Sequence, residues 1–203
     1  PEFEQKCFVI RNCNDFNKIR QLAKNGVEYP LNKFNIVTVS RLGEEKGIDR
    51  AIIAISKCIK KGYEIHYHIV GDGNMKGKLQ DLCKECGISD VVSFYGNQLN
   101  PYRFIKNADL FLLPSYHEAA PMVFDESACL GVPILATKTT STDEMIEKTG
   151  TGIVCENSQE GIENALLDIV EHRTCLSVIR DKMKGLTFTN DQILASIEKN
   201  VFN

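Results

Sequence analysis

The stretch "NIVTVSRLGEEKGIDRAIIAISKCIKKGYEIHYHIVGDG", residues 35–73, changes its hydrophobic period twice. "NIVTVS" (35–40) is a short β-branched run that reads as a buried strand. "GIDRAIIAISKCIKKG" (47–62) sets Ile48, Ile52, Ile55 and Ile59 on one helical stripe and keeps Lys57, Lys60 and Lys61 off it. Gly62 stops that helix, and "EIHYHIVG" (64–71) returns to a strand. A strand, a helix and a strand with short joints between them are the unit from which parallel sheets are built.

The alternation continues outward. "MKGKLQDLCKECG" (75–87) is a helix ended by Gly87, "VVSFYG" (91–96) a strand, and "PYRFIKN" (101–107) a helix opened by Pro101. "ADLFLLP" (108–114) is continuously apolar, as a strand covered on both faces should be. A helix from Met122 to Leu130 and a strand "VPILAT" (132–137) follow. Ser141 and Glu144 have capping-box spacing for a short helix through Glu147. "GTGIVCE" (150–156) is a last strand, and helices near 159–172 and 190–201 finish the chain. The expected fold is α/β: a doubly wound parallel sheet over residues 34–203, with helices on both faces. Residues 1–33 differ. "KCFVIRNCNDFNKIRQLAKNG" holds one short strand and one helix and reads as a connector between domains.

Composition narrows the function. The 203 residues are 43% hydrophobic, carry a net charge of −3 and have a pI near 5.9, so nothing suggests a nucleic-acid partner. No run of apolar residues is long enough to span a membrane, and "PEFEQKCFVI" is unlike a signal peptide. A start without Met fits an excised or processed chain. With no secretory signal, the eight cysteines read as reduced thiols. Cys83 and Cys86 form a CxxC with no second pair nearby, so neighbours on a helix are preferred to a zinc site. His66 and His68 share one face of a strand and read as a structural or solvent-facing pair rather than a metal site.

Ligands of such sheets bind beyond the carboxyl ends of the strands, so the chemistry should lie in residues 41–47, 71–74, 96–100 and 114–121. In "SRLGEEKG" (40–47), Arg41 and Lys46 precede a helix, an arrangement suited to an anion or to two solvated cations beside Glu44 and Glu45. "VGDGN" (70–74) flanks Asp72 with Gly71 and Gly73, which allows a tight turn and a close ligand, though a plain turn would use the same residues. In "LPSYHEAAPMVFDES" (113–127), Glu118 falls on a loop at the sheet edge and Glu126 about one turn into a helix. Pro121, whose missing N–H is not needed there, can sit in the first helical turn, and backbone N–H groups near Ala120, Met122 and Val123 would face the same space. Two carboxylates around an anion site could read the hydroxyls at either end of a sugar nucleotide. An exposed loop charge and a helix-start charge are the plainer alternatives.

Taken in order, "VSRLGEEKGIDRAI", "IVGDG", "FYGNQLNPYRFIKNADLFLLPS", "EAAPMVFDE" and "ESACLGVPILAT" resemble retaining, nucleotide-sugar-dependent glycosyltransferases of the GT-B fold, the glycosyl transferases group 1. The likeness covers nearly the whole chain but only the donor-binding, C-terminal half of such an enzyme. "VIRNCNDFNKIRQLA" resembles the segment joining the halves, and the helix of Leu194, Ile197 and Val201 the one that crosses back. The resemblance implies roles. Arg41 and Lys46 would hold the donor diphosphate with no metal and no other cofactor. Glu126 would bind the ribose, Glu118 the donor sugar, and the main chain at Asn97, Gln98 and Leu99 the base. Amides from Ala120 to Val123 would touch sugar or phosphate. Ala119 and Ser127 depart from the glycine and alanine usual in the family. The implied partners are a nucleotide-sugar donor, with UDP favoured by its frequency in the family, and an N-terminal acceptor domain. The implied setting is polysaccharide or glycolipid assembly in the cytoplasm at the inner membrane face, with any membrane contact made by the missing half. A sugar-nucleotide epimerase half, a phosphorylase-like half and a non-catalytic assembly module are the alternatives of the same fold.

Overall fold

The computed structural model describes residues 12–201. Its six strands are β1 (Phe34–Val39), β2 (Ile65–Val70), β3 (Val92–Phe94), β4 (Leu110–Leu113), β5 (Ile134–Thr137) and β6 (Gly152–Cys155). They form one sheet in the order β3-β2-β1-β4-β5-β6, and every neighbouring pair is parallel. The chain winds outward from β1 to β3, returns to the middle, and winds outward again from β4 to β6. The direction reverses between β1 and β4, where Ile36 pairs with Leu110 and Val37 with Phe111. Outside the carboxyl ends of those two strands lies the crevice that doubly wound sheets use for ligands.

Helices α1 (Phe16–Leu22), α2 (Ile48–Lys60), α3 (Lys76–Cys86), α4 (Tyr102–Ile105), α5 (Met122–Cys129), α6 (Gln159–Glu171), α7 (Thr174–Lys184) and α8 (Asp191–Val201) complete the fold. β4 and β5 are buried along their whole length, which is why their sequences are apolar at successive positions rather than at alternate ones, save for the buried Thr137 that ends β5. α2 packs against α3 and α6, and its buried face takes in Arg50 and Ser56 as well as the isoleucines.

Two sequence expectations about the elements are corrected. α7 was not anticipated. Its stripe of Leu176, Ile179 and Met183 is buried, but only His172 and Arg173 separate it from α6, with neither Gly nor Pro to mark the break. Residues Asp143–Glu147 form a π-type turn, not a capped α-helix. The Ser141 hydroxyl that a capping box would use is buried with no partner, and the Thr142 hydroxyl instead bonds the Thr139 N–H at 3.0 Å. In the expected connector, α1 packs on α4 and α5, Val27 N–H donates to the Arg103 carbonyl at 2.8 Å, and Tyr29 OH to that of Phe104 at 2.7 Å. Residues 1–11, which include Cys7 and the start of the stretch expected to hold a short strand, lie outside the described residues. On α8, Leu194 is exposed and Ile197 partly covered. Among the described residues no helix is long and apolar enough to cross a membrane.

Candidate active site

The loops after β1 and β4 meet at the switch point. Gly47 begins α2 with φ +59°, and the space a side chain would need is filled by the Pro114 carbonyl. Only glycine lets the two loops approach this closely in that conformation. Tyr116 N–H then donates to the Glu45 carbonyl at 2.9 Å. The result carries Lys46 across to Glu118, with Nζ 2.6 Å from Oε1. Ser115 Oγ donates to the same oxygen at 2.7 Å. The two charged side chains are only 20% and 10% exposed, so their attraction is less screened by water than that of a surface pair.

Arg41, expected beside Lys46, takes another partner. Its side chain is 74% exposed and bonds Glu45 at 2.6 Å. The hydrogen bond from Arg41 holds the Glu45 carboxyl below its ordinary pKa. Glu44 lies 3.9 Å from Lys78. The solvated alternative therefore describes Arg41 and fails for Lys46. Arg41, Gly71, Asp72, Asn97, Gln98 and Pro101 line a cleft of about 370 Å³ at the tips of β1, β2 and β3. Gly71 has φ +137°, and a Cβ there would collide with the Ser40 carbonyl, so packing between the loops accounts for this glycine. Asp72 accepts from Lys76 at 2.9 Å, and that bond lowers its pKa. The Gln98 side chain donates back to the Tyr95 carbonyl at 2.7 Å. Leu99 projects fully into solvent and does not line the cleft.

Glu126 stands on α5 and does not itself line that cleft. Tyr102, next after Pro101, donates its OH to Glu126 Oε1 at 3.3 Å. Burial pushes the Glu126 carboxyl above its ordinary pKa, against the opposing effect of the Tyr102 bond. Pro121 stands immediately before the first helical residue, and Ala120 is exposed in the loop before it. The first-turn amides of Met122 and Val123 precede the Phe124 N–H, which bonds the Pro121 carbonyl at 3.2 Å. Free amides of this kind and a nearby ammonium suit an anion; the two carboxylates suit hydroxyls.

Neither Ser115 nor Tyr102 stands out as a site residue in the sequence. Ser115 lies three positions before Glu118 in a loop, where its hydroxyl can reach the carboxylate, and that spacing was the available clue. Tyr102 reads in the sequence only as a helix residue. The CxxC sits on α3, with Cys83 buried and its thiol pushed up to about 11 by burial. His66 and His68 stack with ring centres 4.5 Å apart. Among the described residues no three His, Cys, Asp or Glu side chains gather as metal ligands would.

The family described as glycosyl transferases group 1 matches residues 20–184. The amylovoran biosynthesis glycosyltransferase AmsK of Erwinia amylovora is 28% identical over 174 residues, which are 82% of this chain and 41% of AmsK. The lipopolysaccharide core biosynthesis glycosyltransferase LpsD of Rhizobium meliloti (strain 1021) is 29% identical over 130 residues, 64% of this chain and 37% of its own. Among solved structures, Anabaena HepE in complex with UDP and glucose superposes with a TM-score of 0.79 at 21% identity, over 96% of this chain and 56% of HepE. The chain thus spans from about two fifths to just over half of these relatives.

Proposed function

Because the chain belongs to the glycosyl transferases group 1 family, we propose that it is the donor-binding half of a retaining glycosyltransferase that takes a sugar from a UDP-sugar. The observation that carries this reading is the Lys46–Glu118 pair at the switch point, 2.6 Å apart and largely shielded from water. A diphosphate is the natural competitor for Lys46, and sugar hydroxyls are the natural competitors for Glu118. The diphosphate lies at Lys46, with Arg41 at the exposed side and the α5 first-turn amides opposite. Glu126 accepts from the ribose hydroxyls, its half-buried carboxylate already ordered by Tyr102. The base occupies the cleft beside the main chain of Asn97 and Gln98.

In the reaction the bond from the anomeric carbon to the phosphate oxygen breaks, and the acceptor oxygen bonds that carbon from the same face. The acceptor's proton passes to the departing phosphate oxygen. Lys46 and Arg41 stabilise the negative charge that grows on the diphosphate, the work a metal does elsewhere, so no metal is required. Glu118 orients the sugar and is not the nucleophile. A second half supplies the acceptor site and any membrane contact. AmsK and LpsD are named for amylovoran and lipopolysaccharide core biosynthesis, and a cell-surface polysaccharide or glycolipid, assembled on the cytoplasmic side, is the acceptor class we assign here.

The test is calorimetric titration with UDP, GDP and ADP of the full-length enzyme and its Glu126→Ala variant. UDP alone should bind, and more weakly by about tenfold or more without Glu126. Binding indifferent to Glu126 would remove the ribose from that carboxylate. Binding of no nucleotide would favour an assembly module.

A further inference from the structure

Arg50 does nothing in the site as described, yet its burial is unusual for a charge. It is 5% exposed on α2. Among the described residues it takes part in none of the ion pairs. A buried cation without a carboxylate carries a desolvation cost, and an apolar side chain of the same volume would avoid it. Burial accordingly lowers the pKa of Arg50. The guanidinium must therefore do something that Met or Leu would not.

Its contacts converge on one loop. Nη2 donates to the Pro114 carbonyl. The guanidinium carbon lies 3.7 Å from the centre of the Tyr116 ring. Nη1 donates to Asn157 Oδ1 at 2.9 Å. That bond orients the Asn157 amide, whose Nδ2 donates to the Tyr116 carbonyl at 3.0 Å and to the Lys138 carbonyl at 3.0 Å. Arg50 thus holds residue 114 directly and residue 116 twice, once by its ring and once through Asn157. Glu118 lies two residues further on, and Ser115 within the held segment donates to it. Only a planar fork with several donors can satisfy these directions together; a lysine offers a point charge without the fork.

We propose that Arg50 is a positioning residue, which fixes residues 114–118 from beneath and so sets where Glu118 meets the sugar of a bound donor. The proposal rests on the donor-site reading given above. Arg50 touches no reacting atom. Its effect should fall on steps that need the sugar placed, and spare those that need only the nucleotide.

Two measurements on the full-length enzyme test this with Arg50→Lys and with Asn157→Ala, the latter leaving α2 unaltered should the first variant fail to fold. Amide hydrogen exchange at residues 115–118 should accelerate about tenfold or more in Arg50→Lys, and in the same sense but less in Asn157→Ala, with β1 and β4 still protected. Release of UDP without acceptor would be followed from whichever of UDP-glucose, UDP-galactose and UDP-N-acetylglucosamine the wild type hydrolyses fastest. Its kcat should fall about tenfold or more, while the Kd for UDP moves less than about twofold. Unchanged exchange in the loop of either folded variant would overturn the proposal, as would equal losses in UDP affinity and kcat. A wild type that binds no UDP would defeat the donor reading instead, and the exchange result would still decide what Arg50 does.

Discussion

The two sides of the sheet's carboxyl edge hold charges of both signs but manage them in opposite ways. Where the loops after β1 and β4 meet, Lys46 and Glu118 are joined across 72 residues of sequence, shielded from water, and held by Ser115. At the tips of β1 and β2, Arg41–Glu45 and Asp72–Lys76 are local pairs four residues apart, open to solvent. Exposed local pairs contribute little, because water screens them and the side chains lose freedom in forming them. A long-range pair out of water couples the two loops that make the switch point. The number of charges at a strand tip therefore says less about its role than which of them the fold removes from water.

The strongest way to break this contrast is Lys46→Ala. Transfer by the full-length enzyme should fall about 10²–10³-fold, as for loss of one preorganised group facing developing charge. Stability should fall by about 1–3 kcal/mol, because Glu118 is left shielded with Ser115 alone. A double-mutant cycle in urea over Lys46→Met and Glu118→Leu should give a coupling above about 1 kcal/mol, against less than about 0.5 kcal/mol for the Arg41–Glu45 pair. Equal couplings would abolish the distinction.

Beneath the open cleft the bracing is neutral. Asn35 Nδ2 donates to the carbonyls of Pro30 and Lys33, which leaves its Oδ1 to face His68 Nε2 at 3.1 Å. Nε2 must then carry the proton, and Nδ1 accepts from Tyr95 OH at 3.0 Å. The ring is stacked on Tyr29 with centres 3.9 Å apart. Burial, and then the neighbouring His66, press the His68 pKa from 6.5 down to about 3. Between those values the unfolded chain binds a proton that the folded one refuses, so stability rises with pH through the window from about 3 to 6.5 and is fully present above it. His68→Gln should flatten this limb by at most about 1.4 kcal/mol per pH unit relative to wild type. It should also cost about 1–2 kcal/mol at pH 7 through lost bonds and stacking. Parallel stability curves from urea unfolding across pH would show that His68 is not the group that resists protonation.

The sequence disclosed the sheet better than it disclosed the site. Strands such as "ADLFLLP" and the stripe of α2 announce themselves because burial imposes a period on many residues at once. α7 escaped because no breaker residue separates it from α6. In the site, the chain positions of Lys46 and Glu118 were legible, but their pairing was not, since it depends on the reversal that sets β1 beside β4. Arg50 was opaque for a related reason. Its position looks like the polar side of a helix until α6 and the loop after β6 are folded over it. The separate partners of the two cations were equally hidden: Glu45, four residues on, pairs with Arg41, whereas Lys46 reaches across to Glu118.

Arg41→Ala should have the smallest effect on the fold, and that is what makes it informative. Its side chain is 74% exposed and its carboxylate partner is itself in solvent. Urea unfolding of the variant should match wild type within about 0.5 kcal/mol. The loss should appear in UDP affinity instead, by about threefold at low salt and shrinking as salt rises, because an exposed cation attracts a diphosphate through a screened field. A stability loss comparable to that of Lys46→Ala would mean that the exposed tip is braced by charge after all. No change in either quantity would leave Lys46 as the one side-chain cation of the donor site, and the shielded pair would then carry the diphosphate without help from the open cleft.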